Sequence, residues 1–400
     1  MRVCFETFGC RLNRAEALQM EAEYLSAGWE LTTDHSRADL FVVRGCSVTA
    51  RAQRECEGMV ARLRRHHPTV PVLVCGCLKD RDAIGGARTA AARQTLPPRP
   101  AAGPAPLPTR TARAYLKVQD GCGGNCTFCI VPSFRGASRS VDFTETLDTA
   151  RRFVDAGYRE IVVTGCNLSL YASQGRRLPD LVRALAQIDA ACRIRLGSVE
   201  PGPCVVETIH AMAETPNVCR FLHLPIQSGS MRVLKAMRRP YSVRDIDGIV
   251  ETATRLMPGL GLSCDLMTGF PDENELDFLA TKGLLKRHPF SNAHVFPYSE
   301  RPGTLAAAFP NPVPREIRSN RAHELSRLVR GMRRKFALSM IGKTVEIVVE
   351  DNCKCRGWTG EYLPCEAIGV APRRSLVKVR VTKAEDGVLT GPLLVARRAP

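Results

Sequence analysis

No apolar run in this 400-residue chain reaches the length that spans a bilayer, which takes about twenty residues. No membrane-spanning helix is expected. The charged opening MRVCFETFGCR lacks the apolar stretch of a secretory signal, so a cytoplasmic location is expected. Acidic residues are the minority, 40 against 57 lysines and arginines, giving a net charge of +17 and a pI near 9.4. Such an excess favours a polyanionic partner, most simply nucleic acid, although a solvated basic surface carries the same charge. Seventeen cysteines in so long a chain without an export signal argue against a secreted disulfide framework. They leave reduced thiols for metals, with iron–sulfur clusters or zinc as the choices. At 44% hydrophobic residues the chain is globular, with room for two or three domains.

Residues 1–77 alternate apolar runs with amphipathic patterns: strands at 3–8, 40–43 and 70–75, helices at 15–27 and 48–65. That order is βαβαβ and implies a parallel sheet. The stretch 97–108, PPRPAAGPAPLP, has six prolines and cannot be a helix or an inner strand. It is the centre of an expected linker over 87–113. From 114 to 340 six strands (116–119, 160–164, 193–198, 221–224, 261–267 and 293–296) alternate with helices such as 144–156, 179–188 and 243–256. Six β/α units make a partial TIM-like barrel, followed by a long basic helix at 314–340. Residues 341–400 carry short strands punctuated by glycine, as in a small all-β barrel. The fold class is thus α/β with a C-terminal β-barrel, and the first domain is expected to cover 1–86.

The sharpest local motif is Cys122-Gly-Gly-Asn-Cys126-Thr-Phe128-Cys129, in the loop after the first barrel strand. Three thiolates hold three corners of a [4Fe–4S] cubane and leave one iron open. An open iron chelates the amino and carboxylate groups of S-adenosylmethionine (SAM), whose reductive cleavage yields a carbon radical. A structural zinc site wants a fourth ligand, and no further Cys or His lies in this loop.

Cys10, Cys46 and Cys77 are far apart, yet each follows a glycine and each falls just past an expected strand end. Those ends share one edge of a parallel sheet, where open α/β folds bind ligands. The three can therefore meet at a second three-thiolate site, with Cys75 as the rival third member. A lone cysteine is ordinarily a small buried hydrophobe, and Cys4, Cys56, Cys192, Cys204, Cys219 and Cys264 read that way.

These motifs, together with TFGCRLNRAE (7–16), VQDGCGGNCTFCIVPSFRGASRS (118–140), LHLPIQSGSMRVLKAMRRPYS (222–242), LMTGFPDE (266–273) and HVFPYSERPGT (294–304), resemble the radical SAM methylthiotransferase family along nearly the whole chain. One departure is Arg44-Gly45 before Cys46, where the family usually has Asn-Thr. The resemblance implies two [4Fe–4S] clusters, on Cys122/Cys126/Cys129 and on Cys10/Cys46/Cys77. It implies two SAM molecules per turnover, one giving its methyl group and one giving the radical that removes hydrogen from adenine C2. Phe128, Gly165, Asn167, Ser198, Glu200, Gln227, Ser228, Gly269 and Pro271 match SAM-pocket positions.

Three branches compete. Two act on adenosine 37 in the tRNA anticodon loop, carrying either threonylcarbamoyl or isopentenyl at N6, and the third acts on an aspartate of a ribosomal protein. The short form RGASRS (135–140) and the run GWTGEYLPC (357–365) favour the threonylcarbamoyl branch. A cluster-bearing tRNA-binding protein without catalysis is the alternative from another class. An electron donor such as a flavodoxin or ferredoxin is implied, while the sulfur donor and the oligomeric state are left open. The C-terminal barrel resembles the TRAM RNA-binding module. Arg327, Arg330, Arg334 and Lys335 on the long helix, with Arg373, Arg374 and Lys378 beyond it, are the expected phosphate contacts. Trp358 and Tyr362 are expected to be either base-stacking groups or core.

Overall fold

A computed structural model describes residues 1–78, 111–202, 204–351 and 354–394. The linker expected over 87–113 lies outside the described residues as far as position 110. Among the described residues no helix is long and apolar enough to cross a membrane.

The first unit is a four-stranded parallel sheet. Arg2–Thr7 runs between the short edge strand Glu30–Thr32 and Leu40–Cys46, and Val72–Cys77 closes the other side. Its central strands are buried on both faces. Val3, Phe5, Leu40 and Val42 pack towards helix Arg11–Ser26, while Cys4, Phe41, Val43 and Val74 pack towards helix Ala50–His66. Sequence reading places two strand ends too early. The ladder continues through Gly45↔Gly76 to Cys46↔Cys77, so these cysteines are the last rungs rather than loop residues. The edge strand at 30–32 is too short to show alternation and was not expected.

Six parallel strands of a partial barrel follow, near the expected positions. Ala114–Lys117, Glu160–Thr164 and Arg193–Leu196 form one half, and Phe221–Gln227, Gly261–Thr268 and Asn292–Pro297 the other. The halves meet through the bridges Ile194↔Val218 and Ser198↔His223. On each strand one set of alternate residues, such as Ile194, Leu196, Leu262, Cys264 and Leu266, enters the helix-facing core. The opposite set, among them Arg193, Arg195, His223, Asp265 and His294, faces the barrel interior.

Helix Arg315–Leu338 leads into six strands between Thr344 and Leu394, closed into a barrel by the pairing of Pro364–Ile368 with Val388–Leu394. This barrel is locked to the larger one. Arg193 donates to the carbonyls of Glu346 (2.8 Å) and Trp358 (2.6 Å), and Arg195 to those of Thr359 (2.7 Å) and Gly360 (3.1 Å). Both guanidinium groups pair with Glu160, which is fully buried. Arg113 joins Glu160 to Glu350. The turn at Glu361 lies so close to Gly261 that a Cβ there would sit 2.1 Å from the Glu361 carbonyl oxygen.

Candidate active site

The Cys122–Cys129 loop leaves the short strand Gln119–Asp120, which pairs with Arg139–Ser140. Gly121 turns it at φ +68°, and any side chain there would strike the Ala137 carbonyl at 2.0 Å. The buried amide of Gln119 is the loop's anchor. It donates to Gly121 O (2.7 Å) and Ser138 Oγ (2.9 Å) and accepts from the Asn167 backbone N–H (2.9 Å). Gly165 is glycine because a Cβ would come 2.9 Å from Gln119 Oε1. Gly124 passes within 3.4 Å of Cys122 Sγ, whereas Gly123 faces open space. Arg239, which sequence reading missed, donates to Cys126 Sγ at 3.1 Å and pairs with Glu200.

The second trio converges as well. Cys46 and Cys77 are partners on the last rung of the ladder, and Cys10 stands at the N-cap position of the helix that starts at Arg11. Each preceding glycine is required by contact. A Cβ on Gly9 would lie 2.7 Å from Cys46 Cβ, on Gly45 2.4 Å from Cys56 Sγ, and on Gly76 2.4 Å from the Gly45 carbonyl. That crowding is the physical meaning of the repeated Gly-Cys pair. Cys75 instead packs on the Tyr24 side of the sheet. Arg44, at the family's usual Asn position, is buried and paired with Glu16.

One side chain ties the three loops together. Asn13, fully buried, donates to Phe8 O (2.9 Å) and Gly45 O (2.8 Å), and its Oδ1 lies 4.0 Å from Cys77 Sγ. Arg135, at the end of the helix that begins two residues after Cys129, reaches across. It donates to Cys77 Sγ (2.9 Å), Asn13 Oδ1 (3.1 Å), Glu16 (2.9 Å) and Asp120 (2.8 Å). Lys117 bridges the same two carboxylates at 2.6 and 2.7 Å. Burial raises the Asp120 carboxyl, but Lys117 and Arg135 outweigh it and hold the group well below the usual range. Arg135 thus links Cys77 of the second trio to Asp120 at the base of the first loop.

Both trios suit metal clusters. Burial pushes the Cys129 thiol up to about 11, and its neighbours Cys126 and Cys122 add to the shift. Burial does the same to Cys46, also to about 11, with Cys10 and Cys77 adding. Thiols so placed become thiolates together only against a cation, which cluster iron supplies. Gln227 provides a separate sign of a ligand site: its Oε1 is buried without a partner among the described residues.

Known proteins bear on this geometry. Residues 116–285 match the model of the radical SAM superfamily, and residues 2–92 that of Uncharacterized protein family UPF0004. The Threonylcarbamoyladenosine tRNA methylthiotransferase MtaB of Bacillus subtilis is 30% identical over 96% of this chain and 94% of its own. The chain belongs to the radical SAM methylthiotransferases. A tRNA-2-methylthio-N(6)-dimethylallyladenosine synthase of Nocardioides is 34% identical over 86% of this methylthiotransferase and 77% of its own length. In fold, the methylthiotransferase is similar to the radical SAM methyltransferase TsrM of Kitasatospora setae, solved with cobalamin and a [4Fe–4S] cluster. The TM-score is 0.54 at 13% identity, covering 76% of this chain and 77% of that one.

The other expected site residues divide. Ser198 is exposed on the barrel rim, and Asn167 caps a short 3-10 turn. Phe128 packs with Met267, Phe270 and Phe296 beside the first trio. Ser228, fully buried, bonds Thr281 on the helix-facing side (3.2 Å). Gly269, at φ +69°, lies against Arg318 and is held by Glu273, and Pro271 is buried in the same turn. Ser228 and this turn shape the rim from behind.

On the methylthiotransferase surface Arg327, Arg330, Arg334, Lys335, Arg373 and Lys378 are exposed. Arg374 departs from the phosphate-contact expectation. It stacks over Tyr158 at 4.1 Å and donates to Tyr158 Oη (3.1 Å) and the Thr111 carbonyl (3.2 Å), so its charge joins the two barrels. Tyr362 lies against Phe221 (4.7 Å), Trp358 (4.6 Å), Arg11 (4.8 Å) and Arg195 (5.0 Å), so of the two alternatives for Trp358 and Tyr362 the structure takes packing.

Proposed function

We propose that the chain methylthiolates C2 of N6-threonylcarbamoyladenosine at position 37 of tRNA. The observation that carries this reading is the pair of three-cysteine sites linked through Arg135, which donates to Cys77 Sγ and to Asp120 at the base of the first loop. Cys122, Cys126 and Cys129 would hold the SAM-cleaving [4Fe–4S] cluster, and Cys10, Cys46 and Cys77 the auxiliary one. When bound, the first supplies the electron that generates a radical from SAM, and the second carries the sulfur. Radical chemistry is needed because the adenine C2–H has neither an acidic proton nor a leaving group.

This chain's residues do the positioning. Gln119 and Gly121 set the first loop, and Asn13 the second. Arg239 lies on Cys126 and Arg135 on Cys77, each donating a charged hydrogen bond to sulfur, which tunes a cluster it touches. Gln227 offers a buried acceptor to a ligand N–H, such as the amino group of SAM. The exposed basic face of helix Arg315–Leu338 suits an RNA backbone. The N-terminal unit over 1–86, the 114–340 barrel with its helix and the TRAM-like 341–400 barrel would divide these tasks.

The substrate reading is supported by the short form RGASRS at 135–140 and the run GWTGEYLPC at 357–365, beside the likeness to the threonylcarbamoyladenosine enzyme. The test offers threonylcarbamoyl-tRNA, isopentenyl-tRNA and the ribosomal protein side by side, read by mass spectrometry. Methylthio product on the first alone is expected. Product on the isopentenyl form alone, or on the protein alone, refutes the reading.

A further inference from the structure

A cluster inside the barrel belongs to neither cysteine site. His223, Asp265 and His294 sit on three adjacent strands, Phe221–Gln227, Gly261–Thr268 and Asn292–Pro297, all facing the interior. Asp265 shares its oxygens, Oδ2 to His223 Nε2 (3.1 Å) and Oδ1 to His294 Nδ1 (3.1 Å). The imidazole rings are 5.2 Å apart, and Phe221 stacks on His223 from below. The cluster is close to the rim, since His223 bridges to Ser198, two residues from the Glu200 that pairs with Arg239 on Cys126.

The outer end of this chain opens to solvent among the described residues. The His294 side chain is 61% exposed, against 7% for His223. Burial raises the Asp265 carboxyl, but the two imidazoles outweigh it and hold it well below the usual range, so it is an ionised acceptor. Each ring nitrogen facing Asp265 must then carry its hydrogen. In this hydrogen-bonded state both imidazoles turn hydrogens towards Asp265, which fixes the orientation of His294. Its Nε2 points away from Asp265 and has no hydrogen-bond partner among the described residues.

We propose that His294, braced by Asp265 and His223, recognises the polar arm on N6 of the substrate adenine. The inference rests on the substrate reading above and names the residues that would enforce it. A threonylcarbamoyl arm carries a carboxylate, a hydroxyl and urea N–H groups, so it offers a partner to His294 Nε2 whether that nitrogen donates or accepts. A dimethylallyl arm offers hydrocarbon only and would bury the His–Asp–His chain unpaired. A site built to bond a polar group rejects an analogue lacking it far more strongly than an apolar pocket separates two hydrocarbons.

The test uses reconstituted full-length enzyme and three forms of one tRNA, bearing threonylcarbamoyl, isopentenyl or unmodified adenosine at position 37. Wild type is expected to bind the threonylcarbamoyl form most tightly. His294→Ala should lose roughly ten- to a hundredfold of that preference, the value of one hydrogen bond to a charged group. It should bind the unmodified form as wild type does, and His294→Gln should recover part of the preference. Thermal melting and iron content of each variant separate this from misfolding. A preference that survives intact in His294→Ala overturns this inference alone. A wild-type preference for the isopentenyl form overturns the substrate reading and the inference with it.

Discussion

Replacing Asn13 with alanine removes the hub of the second cysteine site. The side chain makes three hydrogen bonds, to Phe8 O, Gly45 O and the Arg135 guanidinium, at 2.8–3.1 Å. At a net value of about 1 kcal/mol each, the loss is roughly 3 kcal/mol. A domain stable by about 5–15 kcal/mol survives that, but the local arrangement of the Cys10 and Cys46 loops weakens on the order of a hundredfold. Asn13→Ala should therefore fold, melt somewhat earlier, and after anaerobic reconstitution hold about four irons per chain where wild type holds about eight. Reductive formation of 5′-deoxyadenosine should persist, because the Cys122–Cys129 loop is anchored separately by Gln119. Iron assay, electron paramagnetic resonance and urea unfolding on the same preparation decide the matter. Eight irons with an unchanged unfolding midpoint would refute the role given to Asn13.

Other perturbations separate the remaining parts. Cys126→Ala should abolish 5′-deoxyadenosine, whereas Cys46→Ala should keep it and lose the methylthio product, and unchanged product from Cys46→Ala removes the second trio from the reaction. Glu160→Gln strips the countercharge from buried Arg193 and Arg195 and from Arg113 and should cost about 3–5 kcal/mol in urea unfolding. Burial raises the Glu160 carboxyl, but these arginines outweigh it and hold it well below its ordinary value of 4.5. Its contribution is thus complete above pH 4.5 and is lost as pH falls below that, so wild type should lose stability more steeply than Glu160→Gln across that acid range. Arg327, Arg330 and Arg334 together changed to glutamine should weaken tRNA binding and flatten its dependence on salt, as filter binding would show.

What the sequence made legible follows contact range. Cys122, Cys126 and Cys129 are spaced within one loop, so their meeting needs no tertiary knowledge. The Gly9, Gly45 and Gly76 signal was readable because each glycine marks a crowded approach that tolerates no Cβ. Asn13 and Arg135 lie inside quoted motifs, yet their contacts span 32 and 119 positions in the chain, and no local pattern shows that they meet. His294 was hidden for the same reason: its partner Asp265 is on a neighbouring strand. Arg374, Trp358 and Tyr362 had the composition of an RNA-contacting surface, but they are spent where the two barrels meet. Composition records that a group is basic or aromatic, and the neighbouring domain decides whether it is free.

The Gly360–Tyr362 turn seated under the larger barrel has a consequence for reach. A tethered module on a swivel could sample many distances from the reactive centre, and its grip would say little about which nucleotide arrives there. Here the turn, the arginine-capped carbonyls and Glu160 make the two barrels one rigid caliper. The proposed contact of RNA with Lys378 on one jaw would then present it to the cysteine sites at a single set depth. On that proposal, selection of one nucleotide within a loop would be a matter of measured length, and shortening that turn should change which position is modified.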